Sequence, residues 1–255
     1  MGLFGLFEKK TCSVCGGEIG LLGNRKLEDG NLCKNCAAKL SPWFSDRRSS
    51  TVEQIKRQLQ YREENKAAVA AFHTTLSLGE RTSLLVDEDA RKFMVTSARD
   101  LAAANPDVLD FSMVTGATLD IDEDETEAKT ENAEGRSVSY NPPRYEYSYD
   151  FHVVLRVNHP YFDEIRFRLN SSDVETTKSP VPAVRKPNPA MNPEYKKYQS
   201  MGQEIVELLS NGRRRVREEA AAANAPRQPK ICQACGANAV PDASGCCPYC
   251  GSALT

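Results

Sequence analysis

Hydrophobic residues recur along this chain with two different periods, and the change from one to the other divides it into parts. In "SSTVEQIKRQLQYREENKAAVAAF", Val52, Ile55 and Leu59 fall at helical spacing behind Ser50 and Glu53, a capping-box pair, which predicts a helix. Its other faces are charged or alanine, so it reads as a spacer helix with a narrow packing stripe. From about residue 72 the period drops to two. "TLSLGERTSLLVDEDARKFMVTS" predicts short strands separated by Gly79 and by the turn "DEDA", and "VLDFSMVTGATLDID" alternates through Leu109, Phe111 and Met113 toward a bend or bulge at Gly116. The strongest strand pattern puts Tyr145, Tyr147, Tyr149, Phe151, Val153, Leu155 and Val157 on one face, and "EIRFRL" repeats the alternation after the turn "NHPYFDE". The five prolines of residues 171–193 exclude a sheet centre and predict a surface loop. Beyond it Tyr195, Tyr198, Ile205, Leu208 and Leu209 form a helical stripe able to cap an open barrel.

The cysteines set the domain plan. All nine of the 255-residue chain lie in its first 36 or last 24 residues, so the middle must fold on its own hydrophobic core. The expected fold class is multidomain α+β. Residues 1–49 make an N-terminal four-cysteine zinc module, 50–72 the spacer helix, and 73–210 an antiparallel sheet or partial barrel with its capping helix. Residues 211–230 serve as a linker and helix end, and 231–255 as a minimal C-terminal zinc ribbon.

Eight cysteines form C-x-x-C pairs. Cys12, Cys15, Cys33 and Cys36 have the spacing of a closed four-cysteine site, since two tight turns complete a tetrahedron around one ion. Gly16 follows the first pair, as a zinc knuckle needs, while the second runs into helix formers. That difference predicts a treble-clef-like order: knuckle, hairpin turning at Asp29-Gly30, then a ligand pair at a helix N-terminus, whose dipole favours thiolates. At the other end Cys232, Cys235, Cys247 and Cys250 repeat C-x-x-C-G, with Pro248 in the last turn. Pairing Cys246 with Cys250 would lengthen that knuckle by one residue, so Cys246 is the surplus thiol. The implied cofactor is zinc, two ions, with iron as the chemical competitor for four thiolates.

The stretch "CSVCGGEIGLLGNRKLEDGNLCKNCAAKLSPWFSDRRSSTVEQIKRQL" resembles the N-terminal zinc-ribbon domain of an uncharacterised bacterial family, a domain of unknown function, with the likeness spanning about 11–72. The order of strands and final helix at 73–210 resembles a bacterial pleckstrin-homology-like (PH-like) domain, and the tail resembles the small zinc ribbons attached to many bacterial proteins. These resemblances imply a zinc-binding accessory protein.

Formal net charge is −2, against a whole-chain affinity for nucleic acid, and eight metal-bound thiolates with two zinc ions make it more negative. Phosphate-loop, metalloprotease, nucleophile-elbow and dinucleotide motifs are all missing, and His73, His152 and His159 are scattered, so no enzyme is expected and no catalytic residue is named. Asp120, Asp122, Asp124 and Glu131 match calcium-loop positions 1, 3, 5 and 12 of an EF-hand, but position 6 is Glu125 rather than glycine. A solvated acidic loop is the expectation there. The leading function is a non-enzymatic adaptor that binds protein. Arg213, Arg214, Arg215 and Arg217 motivate a nucleic-acid alternative, and "MGLFGLF" with a PH-like face a membrane-surface one. Without a secretory signal or an 18-residue apolar span, the expected location is the cytoplasm.

Overall fold

In the computed structural model, which describes residues 10–176, 184–223 and 228–254, short strands frame the first cysteine pair. The opening "MGLFGLF" and part of the proline-rich stretch lie outside the described residues. Strand β1 (Lys10–Thr11) pairs antiparallel with β2 (Glu18–Ile19), so the chain doubles back across Cys12 and Cys15. β3 (Arg25–Lys26) and β4 (Asn31–Leu32) form a second ribbon, closed at Gly30 by a 2.9 Å bond from the Leu27 N–H to the Gly30 carbonyl. A four-residue helix, α1 (Lys34–Ala37), follows with Cys33 at its N-cap. Ile19, Leu27, Leu32 and Leu40 share one core with Ile55 of the next helix.

That helix, α2 (Val52–Ala71), starts one residue later than the expected capping box. Thr51, not Ser50, is the N-cap: its hydroxyl accepts from the Gln54 N–H, and the Gln54 side-chain Oε1 accepts from the Thr51 N–H at 2.8 Å. Ser50 is buried and donates to the Asp46 carbonyl, while Glu53 faces solvent beside Arg57. Asp29, in the hairpin turn, accepts the Val52 N–H at 2.7 Å and so adds a second cap.

The buried face of α2 is Ile55, Gln58, Arg62, Asn65 and Val69. The spacing is helical, but three of the five are polar, which a hydrophobic pattern cannot reveal. Arg62 donates to Asp107 Oδ1 at 2.6 Å, to the Asn105 carbonyl at 2.5 Å and to the Lys39 carbonyl at 3.2 Å. Ser41 and Tyr61 donate to the same Asp107 carboxylate, and Asn65 bonds the Asn105 side chain and the Pro106 carbonyl. The helix is thereby fixed to the cysteine module on one side and to the sheets on the other.

The first sheet is an antiparallel meander of β5 (Leu76–Leu78), β6 (Ser83–Asp87), β7 (Lys92–Thr96) and β8 (Leu109–Asp110), with a single helical turn, α3 (Leu101–Ala104), before the last strand. The alternation through Phe111 and Met113 does not continue as strand. Asp110 accepts the Ser112 N–H at 2.8 Å and opens a 3-10 turn over Phe111–Met113, so the side-chain cap ends the ladder.

In the second sheet β10 (Ser137–His159) is central, paired along one edge with β9 (Val114–Glu131) and along the other with β11 (Phe162–Arg168) and the short β12 (Val174–Glu175). Arg156 faces Gly116 and Val157 faces Val114, so Thr115 is an extra residue and the bend expected near Gly116 is a bulge. The acidic run expected as a loop is strand instead. Asp120, Asp122 and Asp124 alternate onto one face of β9, where Asp120 and Asp122 take the two arms of Arg166 at 2.5 and 2.8 Å. Pairing with the tyrosine-rich β10 outweighs the low strand propensity of the carboxylates.

On the opposite face Tyr147, Tyr149, Phe151, Val153, Leu155 and Val157 are buried, with Tyr145 half-buried at the edge. The long helix α4 (Pro193–Ala223) covers them: the Tyr195 ring lies 5.0 Å from both Tyr149 and Phe151, and Tyr198 lies 5.7 Å from Phe151. Its buried stripe is Tyr195, Tyr198, Gly202, Ile205 and Leu209, while Leu208 is half-buried. The chain divides into two compact units, one reaching to Arg213 and one from Arg214 onward. The second unit contains the ribbon β13 (Lys230–Ile231) with β14 (Asn238–Ala239).

Candidate metal centres

Three of the four cysteine pairs share one backbone. The Cys12 N–H donates to the Gly17 carbonyl, and the Gly16 N–H donates back to the Cys12 carbonyl, both at 2.8 Å. The Cys232 turn repeats this with Ala237 and Gly236, and the Cys247 turn with Ser252 and Gly251. Each turn holds the residue after the second cysteine at positive φ: +72° at Gly16, +74° at Gly236 and +75° at Gly251. Glycine is what permits that geometry. The fourth pair is helical instead: the Cys33 sulfur accepts the Cys36 N–H at 3.4 Å, and the Cys33 N–H donates to the Cys12 sulfur at 3.3 Å.

These turns bring the eight predicted cysteines into two groups of four. Within each group, Cys12, Cys15, Cys33 and Cys36 or Cys232, Cys235, Cys247 and Cys250, all sulfurs lie within 4.8 Å of one another. Cys15 and Cys33 sulfurs are 3.8 Å apart, Cys235 and Cys247 3.8 Å, and Cys232 and Cys250 3.5 Å. Four sulfurs at about 2.3 Å from a central zinc would have edges of about 3.8 Å. The donor set therefore fits a tetrahedral ion, and with four sulfurs engaged no position is left for water. Among the described residues these are the two groups of His, Cys, Asp and Glu close enough to share an ion.

Cys246 lies outside both groups. Its N–H donates to Asp242 Oδ1 at 2.9 Å, it bridges to Ala253, and its sulfur is 4.0 Å from the Ser244 carbonyl. The knuckle register, with N–H donation to the fifth residue onward, starts at Cys247.

Before metal enters, the thiols of each group are unequal. Burial pushes Cys12 up, but N–H groups of Cys15, Cys33 and Val14 together outweigh it and bring the thiol down to about 6. Cys36 is driven above its ordinary value by burial and by the neighbouring cysteines. At the other site Ser252, through its hydroxyl and its N–H, lowers Cys250 to about 6. Cys235 is drawn down by the Ala237 N–H but pushed up more by the thiols around it, to about 12. A metal ion takes cysteines as thiolates, so binding at either site would release the protons that the thiols still hold.

The three histidines share no site. The His73 N–H caps on Asp87, His152 Nδ1 lies 3.1 Å from Asp122, and His159 stacks on Phe162 at 4.1 Å beside Tyr61. Of the arginine run, Arg213 donates to the Thr115 carbonyl at 2.5 Å and Arg214 lies 3.9 Å from Glu218. The buried Asp107 cluster escaped the sequence reading, although Asn105-Pro106-Asp107 carried a local signal: Asn105 ends α3 in the left-handed region, at φ 48°.

Residues 11–58 match the model of a family described as a domain of unknown function, DUF4428. The matched stretch takes in the first four cysteines and the start of α2, Ile55 included. No curated protein and no solved structure matches the chain. Among the described residues no helix is long and apolar enough to cross a membrane.

Proposed function

We propose that the chain is a non-enzymatic interaction protein, an adaptor, in which two closed zinc sites each hold a small recognition module together, one before and one after a PH-like middle in the sequence. The observation that carries this reading is the gathering of eight cysteine sulfurs into two four-membered groups with tetrahedral spacing. Zinc suits such sites because it imposes no electronic geometry and does not change oxidation state. Bound there, it cross-links chain segments that carry little core of their own, and a saturated tetrathiolate has no open position for catalysis.

The element order supports the finer fold names. Knuckle, hairpin and helix N-terminus succeed one another at the first site as in a treble clef, and two knuckles flank the second as in a minimal ribbon. Between them two four-stranded antiparallel sheets are followed by a covering helix, the strands-then-helix order of a PH-like domain.

A protein partner is favoured by a cleft of about 1060 Å³ between the segment after the first site and the β10–β11 turn. Trp43, Phe44, Tyr161 and Phe162 line it together with Arg57 and Arg166. Aromatic and arginine side chains are the types enriched where proteins meet. A photo-crosslinking amino acid at Trp43 is expected to capture a discrete partner in cells, and Arg57→Glu to reduce that capture severalfold. A cross-linker there that captures nothing would remove the adaptor reading. The metal is checked separately by optical absorption: a zinc tetrathiolate is colourless in the visible, whereas iron would colour the purified protein.

A further inference from the structure

The loop Gly20-Leu21-Leu22-Gly23, between β2 and β3, projects the two most exposed large apolar side chains among the described residues, with Leu21 87% and Leu22 92% exposed. Adjacent leucines at a turn tip contribute nothing to the module's own core. Their exposure costs solubility, so they call for a surface that receives them. The tip is narrow, since glycines flank it on both sides. Two bonds close the turn: the Gly23 N–H donates to the Gly20 carbonyl at 2.9 Å, and Arg25 Nη1 donates to the Leu22 carbonyl at 3.3 Å. Such a turn suits the headgroup boundary, where backbone groups still meet water and the two side chains reach the apolar region.

Cations stand at the base of this turn. Arg25, Lys26, Arg47 and Arg48 line a common cleft, in which Glu28 is the single carboxylate. Arg47 Nη1 is anchored on the Lys26 carbonyl at 2.7 Å, holding the two segments together. Arg47 is shifted below its ordinary value by burial and by the nearby Arg48 and Arg25 charges, which places the three guanidinium groups in one field. Across residues 10–49 there are seven Lys and Arg against four Asp and Glu, in a chain whose net charge is −2. The excess survives the two negative charges that a zinc tetrathiolate adds.

We infer that this turn is a membrane-docking finger: Leu21 and Leu22 insert at the headgroup boundary of an anionic bilayer, and Arg25, Lys26, Arg47 and Arg48 engage its phosphates. An exposed apolar tip beside a basic cleft matches a bilayer, whose anionic surface overlies an apolar interior. Nucleic acid would use the cations alone and leave the leucines in water. The inference concerns the first module only, so it can fail while the adaptor reading stands.

The test is co-sedimentation of the full-length, metal-loaded protein with vesicles of phosphatidylcholine containing phosphatidylserine, beside vesicles of phosphatidylcholine alone. Binding is expected on the anionic vesicles. Leu21→Ser with Leu22→Ser should weaken it at least tenfold, and Lys26→Gln with Arg48→Gln roughly 25-fold, at about fivefold per cation. Unchanged metal content and melting temperature in both double variants establish that they fold, and the positions are exposed enough for that. Removal of residues 2–7 should leave binding within twofold. The inference is overturned if the intact protein ignores anionic vesicles, if the leucine variant binds them as well as the parent, or if removing residues 2–7 abolishes binding. It is equally overturned if single-stranded RNA binds and only the Lys26/Arg48 variant loses it.

Discussion

Cys246 and Cys247 are adjacent, yet the backbone gives them opposite roles. Cys247 opens a knuckle whose N–H and carbonyl are both used by the turn, and its sulfur is buried among three others; Cys246 hangs its thiol outside the group. Thiol titration of the metal-loaded protein should therefore find one fast-reacting cysteine of the nine, and none in Cys246→Ser. Several fast thiols in the loaded parent would contradict the closed sites. At residue scale the sequence was legible wherever chemistry forced a pattern, as in the glycine after each knuckle. It was silent where the need arises from a distant neighbour. Gly202 is such a case: a Cβ there would sit 2.4 Å from Leu119 Cδ1, so any larger residue must displace the Leu119 side chain from between α4 and β9. Gly202→Ala should destabilise by about 1–3 kcal/mol as an overpacking change, measured by denaturant unfolding. Leu119→Ala in the same chain should recover part of that loss, since the two positions are in contact.

Helix α2 illustrates what pattern reading finds and misses at the scale of elements. Its existence follows from spacing and capping chemistry, but its partners do not, because the buried stripe carries Gln58, Arg62 and Asn65 where hydrophobic residues would have declared it. Arg62 and Asp107 are both almost fully buried and joined at 2.6 Å, with Ser41 and Tyr61 completing the carboxylate. Asp107→Ala leaves a buried guanidinium without its counter-ion and should cost about 3–5 kcal/mol. If that variant unfolds at the parent's denaturant concentration, the cluster does not fasten the helix. Strand β9 teaches the converse. Its acidic residues looked like a loop because local composition hides a pairing with β10 that spans nearly its whole length.

Over the whole molecule, stability has two sources that should separate under acid and chelation. His159, packed by Tyr61, Tyr161 and Phe162, is held below its ordinary value of 6.5 by burial, against a weaker opposing pull from Asp107. The unfolded chain therefore takes up a proton near pH 6.5 that the folded chain refuses. Stability is full above that pH and declines as pH falls through it toward the depressed folded value. Comparing melting temperatures at pH 7.5 and 5.5, His159→Phe should lose less on acidification than the parent; an equal loss would mean that His159 is not the sensor. Chelation acts elsewhere. The second unit buries Cys232, Ala239, Cys247 and Leu254, two of them cysteines, so it should unfold without metal, while the sheets and α4 keep a core that contains no cysteine.

Two independent tetrathiolate sites underlie the proposed function. Native mass spectrometry of the purified full-length chain, with metals identified by elemental analysis, tests that directly. The parent and Cys246→Ser should each carry two zinc ions, and Cys12→Ser and Cys247→Ser one each. A single ion in the parent, a metal other than zinc, or loss of an ion from Cys246→Ser but not from Cys247→Ser would contradict it.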